Sequence, residues 1–368
     1  MKNRNIILDI IKALAMVFIV TSHVMQRSVT NYTQTWACSL MLLLGLPIYF
    51  LVSGISVNYR KPLSPLGFVY DVIKRALMYM WPVVFFLLLR VGFYKQWETF
   101  EIAWNAFIEY PGWGLWFLWL LVWFNAFIDI ALLISYFLPK WKKMIVSITL
   151  VIAFTVFVIL RNVNTIPSYH FIGYDYFVIY TPIFFVGYLV GDKIFEYVNK
   201  WFSLVIMVLS VIGVFFLCRY ATPFYSSGYH IEENLFIYYL GTLLVTGFFY
   251  GVATLLSRIK VGEVIGLMGR FSLECYFLHL VVIKFWSPFD LGNGWLTFFA
   301  TLGLTLLLLG NTILVVAATY FLPFTHFLLF GRHYSYYSFE NKMFDKLRDF
   351  CLKDRRIKSS DNINNITQ

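Results

Sequence analysis

The first apolar segment carries three ionisable side chains whose types and spacing could support chemistry. Asp9, Lys12 and His23 lie in the run IILDIIKALAMVFIVTSHVM, residues 6–25. A helix turns about 100° per residue, so Lys12 and His23, eleven positions apart, point within about 20° of one another. Asp9 lies about one turn before Lys12. The three side chains are predicted to share one face, with Lys12 and His23 about 16 Å apart along the axis.

This arrangement could serve a transfer reaction. A cation at one end could hold phosphate groups. A neutral imidazole deeper in the segment could accept a proton as a general base or carry the transferred group covalently. The plainer alternatives are an interfacial ion pair for Asp9 and Lys12 and a structural role for His23. The shared face favours a polar path through the interior of a helix bundle.

The composition indicates that most of this chain is solvated by lipid. Of the 368 residues, 60% are hydrophobic and 13% charged, against about half and a quarter in soluble domains. The net charge is +10, but the basic residues cluster in loops between apolar runs. Topology and anionic lipid therefore explain this charge, and no nucleic-acid partner is predicted. The four cysteines form no CxxC or zinc spacing, so no metal is predicted.

Apolar runs of about 20 residues predict an all-α, polytopic membrane helix bundle. If the N-terminus is cytoplasmic, most of the 29 lysines and arginines fall on the cytoplasmic side, so both termini are predicted to lie there. About ten spans are predicted, near 6–26, 36–58, 76–94, 114–138, 144–161, 171–191, 201–218, 235–256, 264–286 and 296–323.

Two regions outside the spans have a distinct character. Residues 95–110 place aromatic residues at helical spacing between acidic ones, which predicts an interfacial helix on the outer surface. Residues 331–368 are polar and basic, and their last ten residues are predicted to be disordered. The predicted organisation is one membrane domain over 1–330, followed by a basic cytoplasmic tail over 331–368.

Other spans contain polar residues that lipid does not favour. The second ends in PIYFLVSGIS, where the Ser53-Gly54 pair allows a kink or a close backbone approach. Lys74 and Arg75 precede the third span, where they could bind phosphate or set topology. In the fourth, tryptophans including Trp116 could form an interfacial belt or stack on a sugar. The ninth contains GRFSLECYFLHLVV, too polar for a helix that faces lipid alone.

Together these segments resemble the integral-membrane acyltransferase family 3. The first helix of that family is similar to LDIIKALAMVFIVTSH, with a basic residue, ten residues and then a histidine; Lys12 stands where arginine is usual. PIYFLVSGIS, LWFLWLL and GRFSLECYFLHL are similar to further segments of the family in the same order. In KRALMYMWP, Met78 stands where a second arginine is often found. The resemblance extends from residue 6 to about residue 330.

The resemblance implies an O-acetyltransferase that moves an acyl group, usually acetyl, from cytoplasmic acetyl-CoA to a hydroxyl of a cell-surface polysaccharide or other envelope glycan. The expected location is the plasma membrane, in a bacterial cell. His23 would act as general base or acyl relay, with Lys12 and Asp9 completing the catalytic set. The expected groups for coenzyme A are Lys12, Lys74 and Arg75, and those for the acceptor are Ser53, Trp116, Glu274 and His279.

Two other functions fit a bundle of this kind. A transporter or flippase would also need intramembrane charges, but the chain shows none of the internal repeats that transporters often carry. A glycan polymerase or another lipid-linked sugar enzyme would be expected to have larger outer loops than the modest ones predicted here. Both alternatives rank below the acyltransferase interpretation.

Overall fold

A computed structural model describes residues 5–29, 36–92, 99–109, 116–162, 173–191, 200–220, 235–283 and 294–350. Over these residues the secondary structure is helical, and none of them forms a strand. The helices are α1 (Ile6–Ser28), α2 (Trp36–Leu44), α3 (Leu46–Val57), α4 (Pro65–Gly92), α5 (Phe100–Glu109), α6 (Trp116–Phe137), α7 (Lys142–Asn162), α8 (Tyr174–Val190), α9 (Lys200–Tyr220), α10 (Leu235–Leu256), α11 (Lys260–Arg270), α12 (Ser272–Val282), α13 (Gly294–Tyr320), α14 (Thr325–Phe330) and α15 (338–350).

The prediction of an all-α membrane protein with several spans is confirmed. Within the described ranges, seven helices are long and apolar enough to cross a membrane, and the bent pair α11–α12 would make an eighth. Two shorter apolar helices cover Asp175–Val190 and Trp201–Leu217. Each of the ten predicted segments overlaps one of these elements. The count of ten and the cytoplasmic termini stay predictions.

The chain divides into two compact units. The first comprises Met1–Asn58 and Pro182–Val316, and the second comprises Tyr59–Thr181 and Ala317–Gln368. Residues 331–350, the first part of the predicted tail, belong to the second unit and include α15. The residues predicted to be disordered lie outside the described ranges.

Helix α1 is the centre of the first unit. It packs against α2, α3, α10, α11 and α12, and Ile10, Met16 and Val20 on it are fully buried. The Asn5 side chain caps its start by accepting a hydrogen bond from the Ile7 N–H at 3.0 Å. The Thr21 hydroxyl donates to the Val17 carbonyl, four residues earlier. Local hydrogen bonds therefore satisfy these two polar groups, while most of the helix is covered by protein.

Two glycines permit the closest helix contacts in this unit. A Cβ on Gly269 of α11 would overlap the Asp9 carbonyl of α1, and one on Gly54 of α3 would overlap the Phe184 carbonyl of α8. Small residues allow such backbone approaches in membrane bundles, where packing replaces the hydrophobic effect between helices. The contact at Gly269 fixes α11 against the N-terminal half of α1.

The predicted ninth span is not one straight helix. It breaks at Phe271, where α11 and α12 meet at an angle of 69°. Because α11 is held against α1 at Gly269, the bend gives α12 its own direction through the first unit. The polar residues of this span thus lie on two separate helices, α11 and α12.

The second unit is built around α4 and α6. Helix α4 packs against α5, α6 and α14, and α6 also packs against α7. The segment predicted to be interfacial is helical over Phe100–Glu109, with Ile102 and Glu101 exposed. Its position on the outer membrane surface stays a prediction, and residues 95–98 and 110 lie outside the described ranges.

Substituting Gly54 tests the close packing of α3. Gly54→Ala places a Cβ on the Phe184 carbonyl, so we expect the two helices to be forced apart at a cost of about 1–3 kcal/mol. The measurement is the thermal unfolding midpoint of the purified protein in detergent. The matched control is Gly303→Ala, because no atom lies within 4 Å of a Cβ there. Equal midpoints for the two variants would contradict the contact.

Candidate functional site

Two histidines from distant parts of the chain meet in the first unit. His23 on α1 and His279 on α12 are joined by a hydrogen bond of 2.8 Å between His23 Nδ1 and His279 Nε2. The two rings are nearly parallel, at 10°, with centroids 5.1 Å apart. His279 is fully buried, whereas His23 keeps part of its surface. Both residues are candidates from the sequence, His23 as a catalytic group and His279 as a group for the acceptor.

The hydrogen bonds around His279 determine which nitrogen carries each proton. His279 Nδ1 lies 3.1 Å from the Cys275 carbonyl oxygen, which can only accept, so this nitrogen is the donor. In a neutral imidazole the other nitrogen, Nε2, then accepts. His23 Nδ1 must therefore donate to His279 Nε2. The Nε2 of His23 then carries no proton and presents its lone pair. This is the form that a general base or a nucleophile requires.

Further contacts hold α12 in place beneath the pair. The Tyr49 hydroxyl of α3 donates to the Ser272 hydroxyl of α12. The Tyr276 ring packs edge-on against the His279 ring, with centroids 5.4 Å apart. Ser272, Tyr276 and His279 share one face of α12 at helical spacing. Glu274 is fully buried, but its position on the helix places it on the opposite side from Ser272.

Asp9 and Lys12 lie nearer the start of α1. Asp9 is 2% exposed, and its carboxylate forms an ion pair of 3.6 Å with Arg270 of α11. Lys12 is partly buried one turn further along. The predicted common face of α1 therefore has two ends: an ion pair at the α1–α11 contact and the histidine pair at α12.

The second unit contains a network of charged residues. Asp129 of α6 is 1% exposed and accepts a hydrogen bond from Arg60 through one carboxylate oxygen. Arg75 of α4 lies 3.0 Å from the other oxygen. Arg75 also donates to Asn125 on α6. Arg60 lies 3.6 Å from Asp71 as well. The buried carboxylate thus holds two arginines that come from different parts of the chain.

Arg60 and Arg75 balance Asp129 and Asp71 in this network, and Lys74 beside them adds one net positive charge. Burial lowers the pKa of Arg60 first, the neighbouring Arg75 lowers it further, and Asp129 counteracts both. Lys74, beside Arg75 on α4, is exposed and lies 6.0 Å from the Tyr70 ring. The excess charge makes the network suited to an anionic ligand.

Sequence reasoning selected Lys74 and Arg75 but missed Arg60, Asn125 and Asp129. The signal for Asp129 was present, since a lone carboxylate in the apolar run WFNAFIDIALL requires a partner inside the protein. Arg60 gave no such signal, because it lies in a loop where an unpaired cation is ordinary.

Ser53 and Trp116 already have local partners. The Ser53 hydroxyl donates to the Tyr49 carbonyl at 2.8 Å, within α3. The Trp116 ring stacks on Tyr176 with centroids 4.1 Å apart, so one of its faces is covered. Their roles in acceptor binding stay predictions. Among the described side chains, no group of three or more His, Cys, Asp or Glu residues is placed to hold a metal ion.

Comparison with known proteins gives one match. The model of acyltransferase family 3, described as an acyltransferase domain, matches residues 5–320. No curated protein and no solved structure matches the chain. The family match covers α1 and α12, which carry the histidine pair, and also α4 and α6, which carry the arginine network.

Removing the buried charge of Asp129 tests the network. Asp129→Asn leaves Arg60 and Arg75 without their compensating carboxylate, so we expect a loss of about 3 kcal/mol, measured as a lower thermal unfolding midpoint. Asp71→Asn is the matched control: Asp71 is more exposed and lies 3.6 Å from Arg60, so its loss should be under about 1 kcal/mol. A larger effect at Asp71 would show that Asp129 does not hold the network.

Proposed function

Because the chain belongs to acyltransferase family 3, we propose that it transfers an acetyl group from acetyl-CoA to a hydroxyl of an envelope glycan, at the plasma membrane of a bacterial cell. The observation that carries the proposal is the hydrogen bond between His23 and His279, which leaves His23 Nε2 able to accept a proton. The glycan acceptor and the acetyl donor follow from the family resemblance of the four segments.

In the proposed reaction His23 acts as a general base. Its Nε2 takes the proton of the acceptor hydroxyl while the oxygen attacks the thioester carbonyl. The resulting imidazolium is stabilised because its Nδ1–H already donates to His279. The tetrahedral intermediate then expels the coenzyme A sulfur, which takes up the proton from His23. The products are the acetyl ester and free coenzyme A.

The same geometry supports a covalent relay. In that version His23 Nε2 attacks the thioester carbonyl, and coenzyme A leaves as a thiolate that takes a proton from solution. The acceptor hydroxyl then attacks the acyl group, the bond from the acyl carbon to Nε2 breaks, and the hydroxyl proton passes to Nε2 and from there to solution. The two versions differ in one observable. A relay releases about one equivalent of coenzyme A per enzyme before any acceptor is added, whereas a general base does not.

The cations are proposed to bind the phosphates of the donor. Arg75 is held by Asp129 and Asn125, so its guanidinium is fixed before a ligand arrives. Lys74 is exposed beside it, and Lys12 would act from α1. Ser53, Trp116 and Glu274 stay candidates for binding the acceptor. His279 is proposed instead to position His23. Asp9 is proposed to act through its ion pair with Arg270, by fixing the start of α1.

His23→Ala tests the central residue. At equal membrane abundance we expect ester formation on the envelope glycan to fall by about 10²-fold or more, since the proton acceptor is lost. The measurement is the ester content of the purified polysaccharide, together with coenzyme A release by the purified protein. Unchanged ester content would overturn the role of His23. Substrate flux into liposomes without any acyl donor would instead favour a carrier.

Two substitutions at His279 separate positioning from packing. His279→Phe keeps a ring but removes the acceptor for His23 Nδ1–H, so we expect kcat to fall by about 10²-fold with KM little changed. His279→Gln offers a carbonyl oxygen to the same N–H and should recover part of kcat. If both variants lose the same activity, or lose it through KM or abundance, then His279 serves only packing.

A further inference from the structure

Helix α15, which follows the last long apolar helix, presents a stripe of large apolar side chains to its surroundings. Phe339, Met343, Leu347 and Phe350 are 54%, 47%, 54% and 73% exposed. Their spacing places them within about 80° of one another around the helix. Four exposed apolar residues on one face are typical of an amphipathic helix that meets another apolar phase.

The first half of the helix is anchored by side chains outside the stripe, whereas residues 345–350 are exposed. Glu340 is fully buried, and its carboxylate accepts the Phe324 N–H at 2.5 Å. His333 bonds to Asn341 at 2.9 Å and stacks on Phe344 with ring centroids 3.9 Å apart. These contacts fix which face of α15 remains open.

The segment before α15 packs on α4, a helix long and apolar enough to cross a membrane. The Trp81 indole donates to the Leu328 carbonyl, and Gly331 packs directly on the Leu77 carbonyl. The exposed apolar side chains of Leu77 and Trp81 lie at this contact, within a candidate membrane span.

The apolar surface is continuous from the end of α13 to α15. Phe321 and Leu322, directly after that helix, are exposed, and the Phe321 ring lies 5.7 Å from the Tyr336 ring. Phe324 in turn lies 6.0 Å from Phe339, the first residue of the stripe. A surface that continues from the end of an apolar span fits the same lipid phase as the span itself.

Basic residues border the stripe on its open side. Helical spacing places Lys342 and Lys346 next to it, on the side away from the packed Phe344. Asp345 lies on the opposite face from Met343, where it pairs with Arg348 at 2.8 Å. Lysines at this position can extend toward lipid phosphates while their stems cover apolar surface.

We propose that α15 is an interfacial helix that lies in the headgroup layer of the membrane. Phe339, Met343, Leu347 and Phe350 enter the acyl-chain boundary, and Lys342 and Lys346 bind the phosphates of anionic lipids. Lipid is favoured over a second copy of the chain because the stripe is continuous with a span and bordered by lysines. This proposal does not depend on the acyl-transfer reaction.

The test compares two labelled positions on opposite faces of α15 in the full-length protein. Met343→Cys and Asp345→Cys are each made after replacing Cys38, Cys218 and Cys351, while the fully buried Cys275 is kept. An environment-sensitive fluorophore is attached, and the protein is placed at one copy per nanodisc. We expect blue-shifted emission at position 343, quenched by lipid-borne quenchers, and solvent-like emission at position 345.

Equal emission at both positions, without lipid quenching, would overturn the proposal. If the emission at position 343 shifts only when two copies share a nanodisc, the stripe mediates self-association, and the proposal is overturned as well.

The binding of anionic lipid by the lysines has its own test. Lys342→Gln with Lys346→Gln should abolish the difference in emission between phosphatidylglycerol and phosphatidylcholine discs, whereas Arg348→Gln should preserve it. A difference that survives the double substitution would contradict the role of the lysines.

Discussion

A polar group inside a bilayer has no water to bond to, so its partner must come from the protein. The hydrogen bond between His23 and His279 meets this requirement for α1 and α12, as the ion pair between Asp9 and Arg270 does for α1 and α11. Because each partner is on a different helix, satisfying the polar groups also fixes how the helices pack. The candidate site and the fold of the first unit therefore rest on the same bonds.

Asp129 shows the same constraint in the second unit, with charges in place of neutral imidazoles. One buried carboxylate holds two arginines, so its cost of burial is offset only while both remain. This explains why α6, a helix long and apolar enough to cross a membrane, contains an aspartate at all. It also gives Arg75 a fixed position, which an unrestrained cation at a helix surface would not have.

Much of this could be predicted from the sequence, because hydrophobic run length and helical periodicity are local properties. The run containing Lys12 and His23 predicted both the helix α1 and the common face of its polar residues. The partners could not be predicted, since His23 and His279 are 256 residues apart. The break at Phe271 was also missed, because GRFSLECYFLHL carries no proline and its bend depends on how Gly269 packs against α1.

The hydrogen-bonded chain behind His23 ends on the backbone carbonyl of Cys275. A peptide oxygen is far too weak a base to take up a proton, unlike the carboxylate that ends the chain in many hydrolases. In the proposed reaction, a proton accepted by His23 would therefore have no onward route through His279. In the general-base version it would stay on the imidazole until the coenzyme A sulfur removes it, so both halves of the proposed cycle would depend on the same residue. In that version the proton would pass from the acceptor hydroxyl to coenzyme A by way of His23 alone, without exchange with the surrounding solution.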